Sequence, residues 1–495
     1  MRGAAQAAGR AGAAALSPMS GELAIVLHAH MPYLEGGGAW PVDPASYLRE
    51  PAGFGTWPFG EELLFEAIAS CYLPLLDVLD DAPGRVTVSL TPVLCDQLEH
   101  PGTIERCLRF LTEVRPLTHR LDADQLRGAG EPTLAAELDR SAAEYAAAAT
   151  ALRARHAAPG GLPASLGRHA SWTSSTTHAI LPLLATDAGI GLQLATGIRS
   201  HRARFGEWRG GLWLPECGYA PWLDPHLERA GVRATCVELT ALLGRGAPAH
   251  LRPLASAAGP TLWPIDRATI DLVWGESGYP SRAAYRDYHR YTSHRHRVHR
   301  VDGRPYEHDA ALAQARVDAA EFVAAVRERV AGGGVCVVAL DAELLGHWWY
   351  EGVQWLRAVL EAADRAGLAF TTLDDALARH EPAAAPARLG VCSWGEGGDL
   401  RTWSGPRSAA FAWRTRTAEL ALAAAPRDRV GERALRELLA LQSSDWAFLH
   451  RFELAGDYPE QRARLHADAL AAALRDPEGV APQLRGLAPW LRGWR

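Results

Sequence analysis

Two carboxylates in this chain close apolar, strand-like runs, and they are the residues best placed to do chemistry. Glu216 ends Gly211-Leu-Trp-Leu-Pro-Glu216 between Trp213 and Tyr219, and Asp341 ends the run Val335–Leu340 just before His347-Trp348-Trp349-Tyr350. Burying an unpaired carboxylate is costly, so each must be ion-paired, hydrogen-bonded or catalytic. Together they are the pair that glycosidic-bond chemistry requires. One attacks the anomeric carbon, while the other protonates the leaving oxygen and then activates the acceptor. In a retaining enzyme the two carboxyl groups lie about 5–5.5 Å apart.

Two further segments carry chemistry. In His28-Ala-His30-Met-Pro-Tyr33, histidines at i and i+2 on one strand end point the same way, a pair suited to a metal ion or to several substrate hydroxyls. Ser393-Trp394-Gly-Glu396-Gly-Gly-Asp399-Leu-Arg401-Thr-Trp403 is a glycine-rich loop. No lysine follows it and no strand–helix context surrounds it, so it does not read as a phosphate cradle. Glycines that set Trp394 and Trp403 into a cleft suit sugar rings, whose apolar faces stack on aromatic planes. The cluster His289, His294, His296 and His299 alternates with Arg290, Arg295, Arg297 and Arg300. Neighbouring cations disfavour a bound metal ion, so this stretch reads as a solvated loop.

The elements that must position these groups alternate. Leu23–His30, Val86–Leu94, Leu212–Glu216, Thr235–Leu239, Thr261–Ile265 and Val335–Asp341 read as buried strands, with helices over Glu61–Leu79 and Asp309–Val330. Strands alternating with helices imply a parallel α/β sheet or barrel, and functional groups at the strands' C-terminal ends fit a barrel active site. From about Asp96 to Leu166 the pattern turns helical (Glu105–Leu111, Thr133–His156) and reads as an insertion. Pro382-Ala-Ala-Ala-Pro386 reads as a linker. The tail is helical over Arg414–Ala425, Glu432–Gln442 and Pro459–Leu474. The expected division is a leader over 1–20, a catalytic barrel over 21–386 with its insertion at about 96–166, and a helical domain over 387–495.

Composition narrows the classes. All 51 basic residues are arginine, which removes Schiff-base chemistry and the P-loop lysine. A net charge of −6 gives no electrostatic reason to expect nucleic acid or an acidic membrane as partner. No apolar run is long enough for a spanning helix. The seven cysteines are scattered and odd in number, which fits free thiols in a reducing compartment, and a cytoplasmic protein is expected.

At this point the sequence resembles glycoside hydrolase family 57, and within it the 1,4-α-glucan branching enzymes, from about Leu23 to Leu474. His28–Tyr33, Trp213-Leu-Pro-Glu-Cys-Gly-Tyr219 and Asp341–Tyr350 match its signatures. Thr177-His178-Ala-Ile-Leu-Pro182, Val273–Tyr279, Trp394–Trp403 and Ser444-Asp445-Trp446-Ala-Phe448 resemble further segments. The resemblance implies a (β/α)7 barrel with a helical insertion and a C-terminal helical domain walling the cleft. It implies retaining transfer of an α-1,4-glucan chain, amylose- or glycogen-like, to a 6-hydroxyl, with Glu216 as nucleophile and Asp341 as acid/base. It also implies that no metal or cofactor takes part, and a monomer is favoured. His28, His30, His178, Trp213, Arg267, Trp274, His347, Trp394, Trp403 and Asp445 become candidates for binding substrate.

Two departures stand out. Ala170 occupies the place of a family glutamate. The loop Glu238–His250, where branching enzymes carry a lid tyrosine, has no Phe, Trp or Tyr. Such a lid would shield the glycosyl-enzyme from water, so an α-amylase-like hydrolase is the first rival. A zinc-dependent amidohydrolase or deacetylase, using the histidines and Asp341, and a non-catalytic glucan-binding protein are the others.

Overall fold

The computed structural model describes residues 21–34, 60–477, 479 and 486–494; the leader expected over 1–20 lies outside them. Seven parallel strands carry the fold: β1 (Glu22–Ala29), β2 (Val86–Leu90), β3 (Ala170–Ser174), β4 (Leu212–Trp213), β5 (Ala234–Val237), β6 (Thr261–Pro264) and β7 (Val335–Asp341). The strand order β4-β3-β2-β1-β7 makes one sheet, and β5 pairs β6. Two short seams close them into a ring. Gly211 bridges Ala234 between β4 and β5, and the Asp266 amide just after β6 donates to the Val337 carbonyl of β7 at 2.8 Å. The result is a (β/α)7 barrel.

β1 (ELAIVLHA) and β7 (VCVVALD) are near-continuous apolar runs because they are buried on both faces, as parallel strands under helices must be. Their register sets His28 opposite Asp341 on one side and Ser89 of β2 on the other. β3 (ASWTS) was not anticipated from sequence. It is small and polar, yet Thr173 and Ser174 are buried, and the Ser174 hydroxyl donates to the Trp213 carbonyl at 2.8 Å. Of the expected strand Leu212–Glu216 only Leu212–Trp213 pairs in the sheet, because Pro215 lacks the amide a ladder needs and Glu216 turns to φ 60°.

Between β2 and β3 the chain is helical, including α1 (Arg115–Gly128) and α2 (Pro132–Ala157). The barrel's own helices include α3 (Asp187–Phe205), α4 (Arg267–Trp274), α5 (His308–Arg329) and α6 (Gly352–Ala366). The tail folds as α7 (Ala409–Ala424), α8 (Glu432–Leu441), α9 (Asp445–Arg451) and α10 (Tyr458–Arg475). Leu422, Leu435, Leu438 and Trp446 of these helices share a second core with Tyr33, Ile180 and Leu192 of the barrel side.

Two expectations are corrected. The 382–386 stretch is no free tether, since Ala383–Ala384 pairs with Leu254–Ala255 and the Ala383 amide donates to the Pro253 carbonyl. The arginine–histidine stretch is solvated only in part: His289 and Arg290 are exposed, but His294 and His296 pack on the insertion. His294 donates its amide to the buried Asp122 of α1 and hydrogen-bonds it through Nδ1 at 2.5 Å; His296 is buried with Nε2 on Thr118; and Arg286 pairs with Glu137 of α2. Acidic residues on the insertion supply the partners that the loop's own sequence could not reveal.

Candidate active site

The strand ends converge on a column of aromatic rings. Trp394 meets Trp213 edge-on at 5.1 Å between centroids, Trp213 stacks on His28 at 4.8 Å, His28 on His178 at 5.1 Å, and His178 on His30 at 3.9 Å. Each ring is fixed from behind. The Ser89 hydroxyl contacts His28 Nδ1 at 3.2 Å, and Thr91 contacts His30 Nδ1 at 3.2 Å. His30 Nε2 donates to both oxygens of Asp445 at 3.0 and 3.1 Å, and His178 Nδ1 meets the Ser444 hydroxyl at 2.8 Å. Burial drives the basicity of His28 and His178 well down, helped by the neighbouring histidines, so both are neutral and can donate or accept. Buried Nε2 of His28, buried Nε2 of His178 and the Trp213 indole have no hydrogen-bond partner among the described residues. These are polar atoms of the kind that sugar hydroxyls satisfy.

Glu216 flanks this column between Trp394 and His178, and its backbone is in the left-handed region at φ 60°, as are those of Cys217 (φ 51°) and His178 (φ 59°). Three non-glycine residues in this region cost of order 1–3 kcal/mol each and cluster where geometry serves function. The Trp394 indole donates to Glu216 Oε2 at 2.6 Å, and the Trp394 amide donates to the Glu216 carbonyl at 2.9 Å. Glu216 Oε1 is 3.9 Å from His178 Nδ1. The loop carrying Trp394 is held by Gly395, where a Cβ would come within 2.7 Å of the Trp403 ring.

Burial, reinforced by the Asp341 charge, raises Glu216 to about 8, against the opposing hydrogen bond from Trp394. Burial also raises Asp341 to about 6, with His30 opposing and Asp445 reinforcing. Such neighbours titrate as a pair. Below about 6 the pair holds two protons, and above about 8 it holds none. Between those limits it carries one proton and one charge, the state from which double displacement starts. We therefore expect kcat/KM to be bell-shaped, falling below about 6 as the pair takes up its second proton and above about 8 as it loses its last; a flat profile across that range would contradict the pairing. Asp445 is the constant charge of the site. Burial opposes its ionisation, but His30, His178 and Ser443 outweigh it and hold it below the ordinary carboxylate range.

Glu343 completes the group and was not singled out from sequence, although it lies inside the Asp341–Tyr350 segment. Its Oε1 accepts from the His30 amide at 3.0 Å and from the Tyr72 hydroxyl at 2.6 Å, tying the end of β1 to the turn after β7. Tyr72 reaches it from a π turn, Ile68–Tyr72, inside the helical run 61–81. Burial raises Glu343 to about 8 against the Tyr72 bond. Ser89, Thr91, Ser443 and Ser444 were missed too, because a lone hydroxyl carries no sequence signal.

The other anticipated residues divide. Arg267 opens α4 and donates Nε to Glu238 at 2.8 Å, bracing the 238–250 loop. His250, at the far end of that loop, is buried against the Ile265 carbonyl. Trp274 is 52% exposed and stacks on Trp348 at 6.3 Å, open to a ligand. Trp403 is 2% exposed in the tail core and offers no free face. His347 lines a separate cavity of about 400 Å³ with Glu66, Tyr145, Arg286, Tyr288 and His308, away from the ring column. Burial and Arg297 lower its pKa to about 3. Trp403→Ala should therefore cost about 3–5 kcal/mol of stability, read as a lowered Tm, whereas Trp274→Ala should raise KM with Tm unchanged. The reverse pattern would exchange their roles.

His30, His178 and Asp445 are the described residues closest to a metal-binding set, their ligand atoms lying within 4.8 Å of one another. The geometry does not suit it. The two imidazoles are stacked 14° from parallel, so their in-plane lone pairs run side by side instead of meeting at one point. His30 Nε2 is also committed to Asp445 as a hydrogen-bond partner.

Glycosyl hydrolase family 57 matches residues 171–387, and the 1,4-alpha-glucan branching enzyme C-terminal family matches residues 410–480. A Mycobacterium tuberculosis protein (strain ATCC 25618 / H37Rv) named as a probable 1,4-alpha-glucan branching enzyme is 34% identical over 520 residues, covering 93% of this chain and 94% of the relative. The crystal structure of a GH57-type branching enzyme from Pyrococcus horikoshii superposes with a TM-score of 0.80 at 28% identity, over 92% of this chain and 90% of that one. A GH57 branching enzyme from Thermococcus kodakaraensis, solved with glucose, gives 0.79 at 27% identity, over 95% and 94%. On the barrel, the tail and these matches, the chain belongs to glycosyl hydrolase family 57, among the members that carry the branching-enzyme C-terminal segment.

Proposed function

We propose that this enzyme is a 1,4-α-glucan branching enzyme working by retaining double displacement, with Glu216 as nucleophile and Asp341 as acid/base. The observation that carries the reading is the part-buried carboxylate pair beside the ring column, with one carboxylate oxygen of Glu216 engaged by Trp394. Oε1 is then the attacking atom. It forms an ester with the anomeric carbon as Asp341 gives its proton to the departing glycosidic oxygen. In the second half the 6-hydroxyl of an acceptor glucan yields its proton to Asp341, its oxygen attacks the same carbon, and Glu216 is released. Neutral His28 and His178, together with His30 oriented by Asp445, hold the hydroxyls of the sugar being transferred. No metal or cofactor is needed for any step.

The seven cysteines are free and buried, which supports a reducing, cytoplasmic setting; among the described residues no helix is long and apolar enough to cross a membrane.

The loop Glu238–His250 favours a second reading. It holds no aromatic residue, and Glu238 binds it down by accepting from the Thr240 amide and from Arg267. Water then competes with the acceptor hydroxyl for the glycosyl-enzyme, giving an α-amylase-like hydrolase. Incubation with amylose separates the two readings. Branch points counted by proton NMR should outnumber new reducing ends; reducing ends appearing alone would remove transfer and leave hydrolysis.

A further inference from the structure

Helix α9 begins with Asp445, which faces His30 in the site. At 100° per residue, Phe448 and Phe452 fall within about 60° of Asp445 on the side away from the buried Trp446. Both rings are exposed, at 36% and 44%, and they lie 4.9 Å apart. The next residue around the helix, Arg451, pairs with Glu396 at 2.6 Å, and Glu396 belongs to the loop whose Trp394 holds Glu216. Phe448 is therefore bracketed on the helix surface by Asp445, which faces His30, and by Arg451, which pairs with the loop that carries Trp394. The row Asp445, Phe448, Phe452 runs outward for about 10 Å, continuous with the site at one end and open at the other.

Exposed aromatic faces in a line are poor solvent-facing surface, but they match the apolar faces of successive sugars in a chain. We propose that Phe448 and Phe452 form an outer glucan track on which α-1,4-linked glucose residues stack after leaving the catalytic site, so that long chains are favoured over short ones. This rests on the glucan reading above. The ring pair supplies binding beyond the cleavage point and takes no part in the chemistry.

The test compares wild type with a Phe448→Leu/Phe452→Leu double variant, which keeps apolar bulk but removes the flat faces, and with Phe448→Trp/Phe452→Trp, which keeps them. On amylose the leucine variant should raise KM about tenfold with kcat unchanged. Turnover of α-glucosyl fluoride, whose single sugar fills only the site beside the ring column, should stay within about twofold, and the tryptophan variant should behave as wild type on both. An unchanged KM for amylose, or equal losses on both substrates, overturns the proposal. The underlying function fails separately. Amylose binding that weakens in the leucine variant of an enzyme making no branches sustains the track and removes branching. Branching by wild type with the variant's KM unmoved removes the track alone.

Discussion

Glu216→Gln is expected to remove turnover of amylose almost completely, by at least about 10⁴-fold in kcat, while the protein stays folded. The amide preserves the shape and can still accept from the Trp394 indole, so the loop at 394–403 keeps its anchor. It cannot form the glycosyl ester. Stability should move the other way. The pair that Glu216 forms with Asp341 has its folded pKa values raised from 4.5 and 3.8 to about 8 and about 6, chiefly by burial, so the native state binds protons more tightly than the unfolded chain. Wild type therefore loses stability as pH rises between those values. The glutamine has no charge to bury, and the variant should melt above wild type at pH 8, with the difference vanishing in acid. A variant with wild-type kcat, or one melting well below wild type at pH 8, would remove Glu216 from the role assigned to it.

Asp341→Asn should lower kcat on amylose by about 10²–10⁴-fold, with a signature that depends on the leaving group. An α-glycosyl fluoride departs without protonation, so the first half-reaction proceeds and the ester on Glu216 accumulates, because no base remains to activate an acceptor hydroxyl. Added azide needs no such base, and it should restore turnover and yield an α-glycosyl azide. Rapid-quench kinetics and mass spectrometry of the intact protein would reveal the ester as a hexose-bearing adduct. A variant equally slow on fluoride and amylose, with no adduct and no azide rescue, would show that Asp341 does not transfer protons.

Much of the barrel was legible because its central strands are buried on both faces. β1 and β7 stand out as uninterrupted apolar runs, and both lead directly to chemistry at His28 and Asp341. β3 was illegible for the opposite reason: Ala-Ser-Trp-Thr-Ser carries no apolar periodicity, and its burial depends on hydroxyls bonded to neighbouring strands. The carboxylates and histidines were legible as residues, but their orientation was not. The Tyr72–Glu343 bond spans 271 residues, the His30–Asp445 pair 415 and the His178–Ser444 contact 266, and no local pattern encodes such pairings. The tryptophans show the limit of residue type as a guide. Trp394 and Trp403 look alike in the loop sequence, yet one touches Glu216 and the other props up the glycine behind it. The arginine–histidine stretch misled in the same way, since its partners lie on α1 and α2.

The grip of Asp445 and Ser444 on His30 and His178 constrains how such a chain can change over evolutionary time. Those bonds cross from the barrel to the helical tail, so the catalytic unit does not end where the barrel does. A tail exchanged between relatives brings its own residues at these two places, and a recombinant gene works only when both parents agree there. Barrel and tail are in that sense a single heritable trait, and descent by shuffling of separate modules is closed to them even though each has its own core.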